Sequence, residues 1–207
     1  MAELGARGEA RVKPLLVMTL FPSLNRQTIA LVGLMGVGKS SIGRRLASAL
    51  AMPFHDADLE VEAAAGRSVS EIFAQFGEAA FRDGERRVIA RLLEEPAHVL
   101  ATGGGAFVND ETRTLIRKKA ISIWLKADLE VLVRRVGRRD NRPLLAGRDP
   151  LRVLEALALE RYGAYGEADI VVETGDTAHQ VAVDAIIKAL ADRAAAGMGP
   201  MTEMGTS

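Results

Sequence analysis

A glycine-rich segment after the first apolar run carries the residue types that bind nucleotide phosphates. Residues 33–40 fit the pattern G-x-x-x-x-G-K-[ST], which ends in Lys39 and Ser40. Glycines let backbone N–H groups curve around a phosphate, and a helix that begins there adds the positive end of its dipole. Lys39 would reach the β- and γ-phosphates, and the Ser40 hydroxyl would bind Mg²⁺. The segment predicts a nucleoside triphosphate site, although GTPases, ATPases and small-molecule kinases share it.

Two aspartates lie where the second apolar run ends, in the segment 54–58. Residues two apart in an extended chain point the same way, so Asp56 and Asp58 can face one cleft. One carboxylate could hold a water on Mg²⁺, while the other binds an acceptor hydroxyl and takes its proton. Asp58 could instead be only the N-cap of a helix that begins at Leu59.

An arginine and a glycine run are suited to an anionic acceptor. Arg82 and Glu85 are three apart on a predicted helix and share a face. The planar guanidinium could grip a carboxylate, with Glu85 orienting it or binding a hydroxyl, although a surface ion pair is the simpler explanation. Three glycines, Gly103 to Gly105, follow the third apolar run and would let a small ligand touch backbone N–H groups.

A second group of arginines lies further along the chain. The segment 137–149 is polar and predicts a loop that closes over the triphosphate, supplies positive charge and excludes water. Alternatively, these arginines could belong to an ordinary helix end exposed to solvent. Arg161 could be an ordinary helix-surface residue or a second grip on an anionic acceptor. The arginines in or near the loop are Arg134, Arg135, Arg138, Arg139 and Arg142.

Alternating strands and helices must position these residues. Short apolar runs at 28–32, 98–101, 121–125 and 169–172, together with a short strand that ends near 55–56, predict five strands. Helical patterns lie between and after them, at 40–51, 59–66, 70–77, 78–93, 109–118, 128–136, 150–163 and 177–194. This alternation predicts an α/β fold of three layers, with a parallel sheet covered by helices on both faces. Ligands in such folds bind at the carboxyl ends of the strands, where the residues above occur.

Composition limits the other classes of function. The chain has 207 residues, 48% of them hydrophobic, which predicts one folded domain over 28–193. Residues 1–27 predict a partly disordered extension, and 194–207 a loose tail. The 27 basic and 27 acidic residues balance, so we expect neither nucleic acid nor a membrane as partner. The absence of cysteine excludes disulfides and cysteine-ligated zinc. We also expect no signal peptide, a cytoplasmic location and a monomer.

Taken together, the motifs resemble those of the shikimate kinase family over about residues 28–190. The resemblance implies a P-loop fold of the nucleoside-monophosphate-kinase type, with strand order 2-3-1-4-5. It also implies transfer of the γ-phosphoryl group of ATP to the 3-hydroxyl of shikimate, on the route to chorismate and aromatic amino acids. Six blocks carry it: Gly33–Ser40, Asp56-x-Asp58, Phe81-Arg82-x-x-Glu85, Gly103–Gly105, Arg142-Pro143-Leu144, and Arg161 with Tyr162 and Tyr165.

The resemblance implies a role for each motif residue. Asp58 would bind the shikimate hydroxyls and act as base, while Lys39 and Arg142 stabilise the transferring phosphoryl group. Arg82 and Arg161 would hold the shikimate carboxylate, and Glu85 would support Arg82. The remaining roles are shikimate contacts for Gly103, Gly104, Gly105, Phe73 and Phe81; ATP contacts for Gly36, Val37, Gly38, Ser40, Ser41 and Arg135, the last stacking on adenine; and one Mg²⁺ held by Ser40 and, through water, by Asp56.

One segment departs from the family pattern. After the fifth strand the family often has an Arg-x-Pro adenine loop, but residues 173–179 contain neither Arg nor Pro. We therefore assign no adenine contact there. Two alternatives stay open: a kinase of another small hydroxy acid such as gluconate, and a non-catalytic binding module. Such a module would be expected to lose Lys39, Asp58 or Arg142, all of which are present.

Overall fold

A five-stranded parallel sheet forms the centre of the molecule. The structure is a computed structural model that describes residues 27–137 and 149–197. The strands are β1 Thr28–Val32, β2 Phe54–Asp56, β3 Val99–Ala101, β4 Ala120–Lys126 and β5 Ile170–Glu173. Every strand pairing is parallel, and the order is β2-β3-β1-β4-β5. The α/β fold expected from the sequence pattern and the strand order implied by the family resemblance are confirmed.

Helices connect the strands and flank the sheet. None of the helices in the described part of the chain is long and apolar enough to cross a membrane. Residues 1–26, 138–148 and 198–207 lie outside the described residues. They contain most of the predicted extension 1–27, most of the predicted loop 137–149 with Arg142, and most of the predicted tail 194–207. The helices are α1 Lys39–Leu50, α2 Ala57–Ala65, α3 Val69–Leu92, α4 Asp110–Lys119, α5 Leu129–Val136, α6 Pro150–Tyr165 and α7 His179–Ala195, with a 3₁₀ turn at Ala106–Val108.

The predicted helices are present, and their bounds lie within two residues of those expected. The break expected at Gly77, between the segments 70–77 and 78–93, is confirmed: α3 is interrupted there, because Gly77 is non-helical at φ 80° and ψ 174°. A positive φ is accessible to glycine, so this residue can interrupt the helix. Helix α2 begins at Ala57, and its N-cap is Asp56, whose side chain accepts from the Asp58 N–H. The alternative reading of Asp58 as the N-cap is therefore wrong. Helix α7 runs from His179 to Ala195, close to the predicted 177–194.

The register of three strands brings their carboxyl ends to one level. In the sheet Leu31 of β1 and Asp56 of β2 both pair with Ala101 of β3. Strand β1 is buried along its whole length because a central parallel strand has helices on both faces. The segments that leave these three strands therefore begin side by side at one edge of the sheet.

A histidine is buried at the opposite end of β3. His98 is fully buried, and its Nδ1 lies 2.9 Å from the Pro96 carbonyl oxygen. Its Nε2 has no hydrogen-bond partner among the described residues. Burial is the main reason that the pKa of His98 is lowered; the nearby His55 adds to this, while Glu95 and Glu60 oppose it. This environment therefore favours the neutral ring.

We expect the free energy of unfolding to fall as the pH drops below about 6.5, the ordinary pKa of histidine. The unfolded chain then binds a proton that folded His98 binds only at lower pH, so acid favours unfolding. Urea unfolding at several pH values between 8 and 5.5 measures the slope of the free energy of unfolding against pH. His98→Asn keeps a donor near Nδ1 but cannot titrate, so its slope should be shallower. Equal slopes in both proteins would contradict this assignment.

Candidate active site

A cleft of about 740 Å³ opens at the carboxyl ends of the strands. Its volume is in the usual range for small-molecule sites. Of the described residues to which the sequence assigned a role, only Val37 and Glu85 do not line it; both are buried beside it. The predicted residues on its walls are Gly36, Gly38, Lys39, Ser40, Ser41, Asp56, Asp58, Phe73, Phe81, Arg82, Gly103, Gly104, Gly105, Arg135 and Arg161.

The loop between β1 and α1 forms one end of the cleft. Gly36 and Gly38 have φ angles of 84° and 102°, and a methyl group at Gly36 would lie 2.7 Å from Val136 Cγ1. A side chain at either position would be strained, so the glycines permit this loop shape. Helix α1 begins at Lys39 and therefore presents its N-terminal N–H groups here. Lys39 Nζ donates to the carbonyls of Gly33 at 2.7 Å and Leu34 at 3.1 Å.

The two aspartates line the middle of the cleft, but not through strand alternation as predicted. Asp56 ends β2, whereas Asp58 lies in the first turn of α2. The turn closes because Asp56 Oδ1 accepts from the Asp58 N–H at 3.2 Å. The Asp58 carboxylate reaches solvent through the cleft, yet the walls desolvate it, and this raises its pKa. The neighbouring Asp56 raises it further, while Lys39 and Arg82 oppose the shift. A carboxylate of this kind is a stronger base than an ordinary aspartate.

Arg82, which also lines the cleft, is held by two carboxylates. Its Nη1 donates to Glu85 at 2.7 Å, and its Nη2 donates to Glu78 at 3.0 Å. The guanidinium packs on Gly105, where a methyl group would lie 2.6 to 2.8 Å from its carbon and nitrogen atoms. Both partners are on the same helix, α3, so the arginine is fixed before any ligand binds.

Glu85 lies behind Arg82 and is almost fully buried. Burial raises the pKa of Glu85, and the ion pair with Arg82 only partly offsets this. One oxygen, Oε1, has no hydrogen-bond partner among the described residues. A methyl group at Gly103 would overlap that oxygen and lie 3.0 Å from Asp58 Oδ1. The absence of a side chain at Gly103 lets two carboxylates approach each other.

A second arginine and two aromatic rings complete the far end. Arg161 of α6 is only 5% exposed, and its Nη1 would lie 3.6 Å from a methyl group at Gly104. The rings of Phe73 and Phe81 have centroids 4.9 Å apart. The glycine run thus has a guanidinium against each of two neighbouring residues, Gly104 and Gly105. Such an arrangement can bind a small ligand that carries a carboxylate.

His179 is a cleft residue that the sequence reading missed. It is the first residue of α7, and a methyl group at Gly38 would lie 3.4 Å from its Nε2 and Cδ2. Arg135 connects the loop between β5 and α7 to the phosphate loop. It donates to the carbonyl oxygens of Gly175 at 2.5 Å and Val37 at 3.3 Å. Partial burial, Arg45 and Arg135 lower the pKa of His179. Its position after the fifth strand was the available signal.

A family profile and the curated relatives of this chain agree on one family. The sequence profile of shikimate kinase matches residues 35–191. A shikimate kinase of Caulobacter vibrioides is 72% identical over 167 residues, which cover 81% of this chain and 84% of that protein. A shikimate kinase of Paramagnetospirillum magneticum is 54% identical over 164 residues, 79% of this chain and 84% of that protein.

Solved structures agree with the sequence comparison. The shikimate kinase of Acinetobacter baumannii, in complex with shikimate, is 34% identical, with a TM-score of 0.80 over 83% of this chain and 97% of that one. A gluconokinase of Sinorhizobium meliloti is 17% identical with a TM-score of 0.58, so it shares the fold alone. From the phosphate loop to the last helix, the chain belongs to the shikimate kinase family.

Proposed function

We propose that this chain transfers the γ-phosphoryl group of ATP to the 3-hydroxyl of shikimate, giving shikimate 3-phosphate and ADP. The observation that carries the proposal is the placement of Arg82 and Arg161 on the glycine run that also borders Asp58. This wall offers a carboxylate site and a hydroxyl site, and the phosphate loop lies in the same cleft. The relative that was solved with shikimate bound supports the choice of acceptor.

On the ATP side, the phosphate loop would bind and orient the triphosphate. Backbone N–H groups at the start of α1 would hold its oxygens, and Lys39 would move from the Gly33 carbonyl to the γ-phosphate. Arg135 and Ser41 line the cleft beside the loop and would complete this site, with Arg135 toward the base. Arg142 lies outside the described residues, so its proposed role as a second cation rests on the sequence motif.

The donor set also fits one Mg²⁺ ion. Ser40 and Asp56 both line the cleft, and hydroxyl and carboxylate oxygens are ligands that Mg²⁺ prefers alongside water and phosphate. When bound, the ion neutralises charge on the β- and γ-phosphates. Ser40 would bind it directly and Asp56 through a water.

On the acceptor side, Asp58 would hold the 3-hydroxyl and take its proton. The hydroxyl oxygen forms a bond to the γ-phosphorus while the bond from phosphorus to the β,γ-bridging oxygen breaks, and the proton passes to Asp58. The raised pKa of Asp58 brings this base closer to neutral pH. Arg82 and Arg161 would fix the carboxylate at the other end of the substrate, so that the hydroxyl faces the phosphate.

The proposal includes the setting in which the enzyme works. The proposed reaction needs only two small-molecule substrates, and the formal net charge of zero gives no reason to expect nucleic acid as a partner. We propose a monomer in the cytoplasm, where ATP is available. Size-exclusion chromatography with light scattering would test the monomer, because a dimer would double the mass of 22.2 kDa.

Coupled ADP release with ATP and Mg²⁺ tests the reaction directly. Shikimate, gluconate and no acceptor are compared at equal concentration, and turnover is expected with shikimate alone. Equal turnover with gluconate would contradict the acceptor assignment. No turnover with shikimate, in a protein that binds ATP, would overturn the proposed function.

Arg82→Lys should mainly weaken shikimate binding. A point charge replaces a planar fork that two carboxylates hold in place, so one of the donors to the substrate carboxylate is lost. We expect the KM for shikimate to rise about tenfold or more, with the KM for ATP within about twofold. Arg87→Lys, on the exposed face of the same helix, is the matched control. An unchanged KM for shikimate in Arg82→Lys would count against the contact.

A further inference from the structure

Tyr165 is a fully buried residue that touches the acceptor wall and that no proposed step uses. It is the last residue of α6 and lies one helical turn after Arg161, so both side chains share a face of the helix. The phenol donates a hydrogen bond to the carbonyl oxygen of Gly104. The two groups are 61 positions apart in the chain, so this bond ties α6 to the glycine run.

The orientation of one peptide unit follows from this bond. The C=O of Gly104 and the N–H of Gly105 belong to the same planar trans peptide and point in opposite directions. Because Tyr165 draws the carbonyl toward the core, the N–H of Gly105 is directed away from it. Gly105 lines the cleft. No group in the described residues accepts a hydrogen bond from this N–H.

The same peptide lies between the two arginines. The guanidinium of Arg82 packs on Gly105, and Nη1 of Arg161 lies near Gly104. Rotation of the peptide would therefore disturb the N–H and both guanidinium groups together. The ring of Tyr165 cannot easily move, because Trp124 and Tyr162 pack near it with centroids 5.8 and 6.4 Å away.

We propose that Tyr165 is a positioning residue for the acceptor: its hydroxyl fixes the Gly104–Gly105 peptide, so that the Gly105 N–H donates to shikimate beside Arg82 and Arg161. The inference rests on the proposed function of the cleft. Burial raises the pKa of Tyr165 to about 12, so the phenol keeps its proton at any pH of interest. The bond should therefore act equally between pH 6 and pH 9.

Tyr165→Phe removes the hydroxyl and leaves the ring. We expect the KM for shikimate to rise about tenfold, because the partly buried Gly104 carbonyl loses its donor and the peptide is free to turn. The KM for ATP should change less than about twofold. The shikimate KM of Tyr165→Phe divided by that of the unmodified protein should be constant from pH 6 to pH 9. Tyr162→Phe, which alters a second tyrosine packed on Trp124, is the matched control and should behave as the unmodified protein.

The outcomes separate the inference from the function on which it rests. If the unmodified protein phosphorylates shikimate and Tyr165→Phe has the same shikimate KM, the inference is wrong and the function stands. If the unmodified protein does not use shikimate, the proposed function itself fails. Equal rises in both tyrosine variants, or an equal rise in the KM for ATP, would reduce Tyr165 to a packing role and overturn the inference.

A measurement on the unmodified protein does not depend on how the variant folds. The backbone N–H of Gly105 is followed by NMR hydrogen exchange with and without saturating shikimate. A donor to the substrate should exchange more slowly in the complex, and the N–H of Gly163, on the exposed side of α6, should be unaffected. Unchanged exchange at Gly105 would overturn the inference.

Discussion

Lys39→Ala is expected to lower kcat with shikimate by at least about a thousandfold, because the developing charge on the γ-phosphoryl group loses its nearest cation. The lysine is the first residue of α1, and its ammonium already lies against the phosphate loop through Gly33 and Leu34. The coupled ADP assay measures the loss. Thermal unfolding should show a folded protein, since the side chain lines the cleft and does not belong to the core.

The control for this experiment is an alanine substitution of a lysine that does not line the cleft. Lys126→Ala removes a cation that pairs with Glu173 on the edge of the sheet, and it should leave kcat within about twofold. Near-normal turnover in Lys39→Ala would mean that another group supplies the charge at the γ-phosphate. A large loss in both variants would point to a general charge effect.

Asp58→Asn is expected to lower kcat by about a hundredfold to ten-thousandfold, the usual range for loss of a general base. The amide can still accept from the acceptor hydroxyl but cannot take its proton, and ATP should still bind. In the unmodified protein, the acidic limb of kcat should lie above pH 3.8, the ordinary value for aspartate, because burial and Asp56 raise the pKa of Asp58. Activity is then lost as the pH falls through that raised value, and the variant should lack this limb.

Glu62→Gln is the matched control for the aspartate. It also removes one negative charge from the cleft, and its Oε1 can still accept from the Val69 N–H. We expect it to keep most of the turnover. A full rate in Asp58→Asn would exclude Asp58 as the base, and an equal loss in Glu62→Gln would show that the charge of the cleft matters and the proton acceptor does not.

The fold and most of the cleft follow from short segments of sequence. Buried runs such as 28–32 predict parallel strands, and residues placed directly after them must meet at one edge of the sheet. The glycines of the phosphate loop and of 103–105 are informative because backbone geometry demands them. These local signals are sufficient to place Lys39, Asp58 and Arg82 around a single cleft.

Other features of the site depend on contacts between segments that are distant in the chain. Such contacts cannot be predicted from the sequence of either segment alone. Asp58 reaches the cleft from the first turn of α2, since Asp56 caps that helix. His179 enters the wall only because α7 starts against Gly38, 141 positions earlier in the chain. The bond from Tyr165 to Gly104 joins a helix end to a loop, and the buried oxygen of Glu85 depends on Gly103. Periodicity and spacing contain no information of this kind.

The packing around the glycine run sets a limit on redesign of the acceptor range. Gly103 and Gly105 have no room for a methyl group, because one is filled by carboxylate oxygens and the other by the Arg82 guanidinium. An engineer who wishes to admit a different hydroxy acid therefore cannot vary this loop without displacing the groups that recognise the ligand. The adaptable side of the cleft is the first half of α3, where Phe73 is partly buried and the break at Gly77 separates it from Arg82. Directed evolution toward new acceptors should find its tolerated changes there.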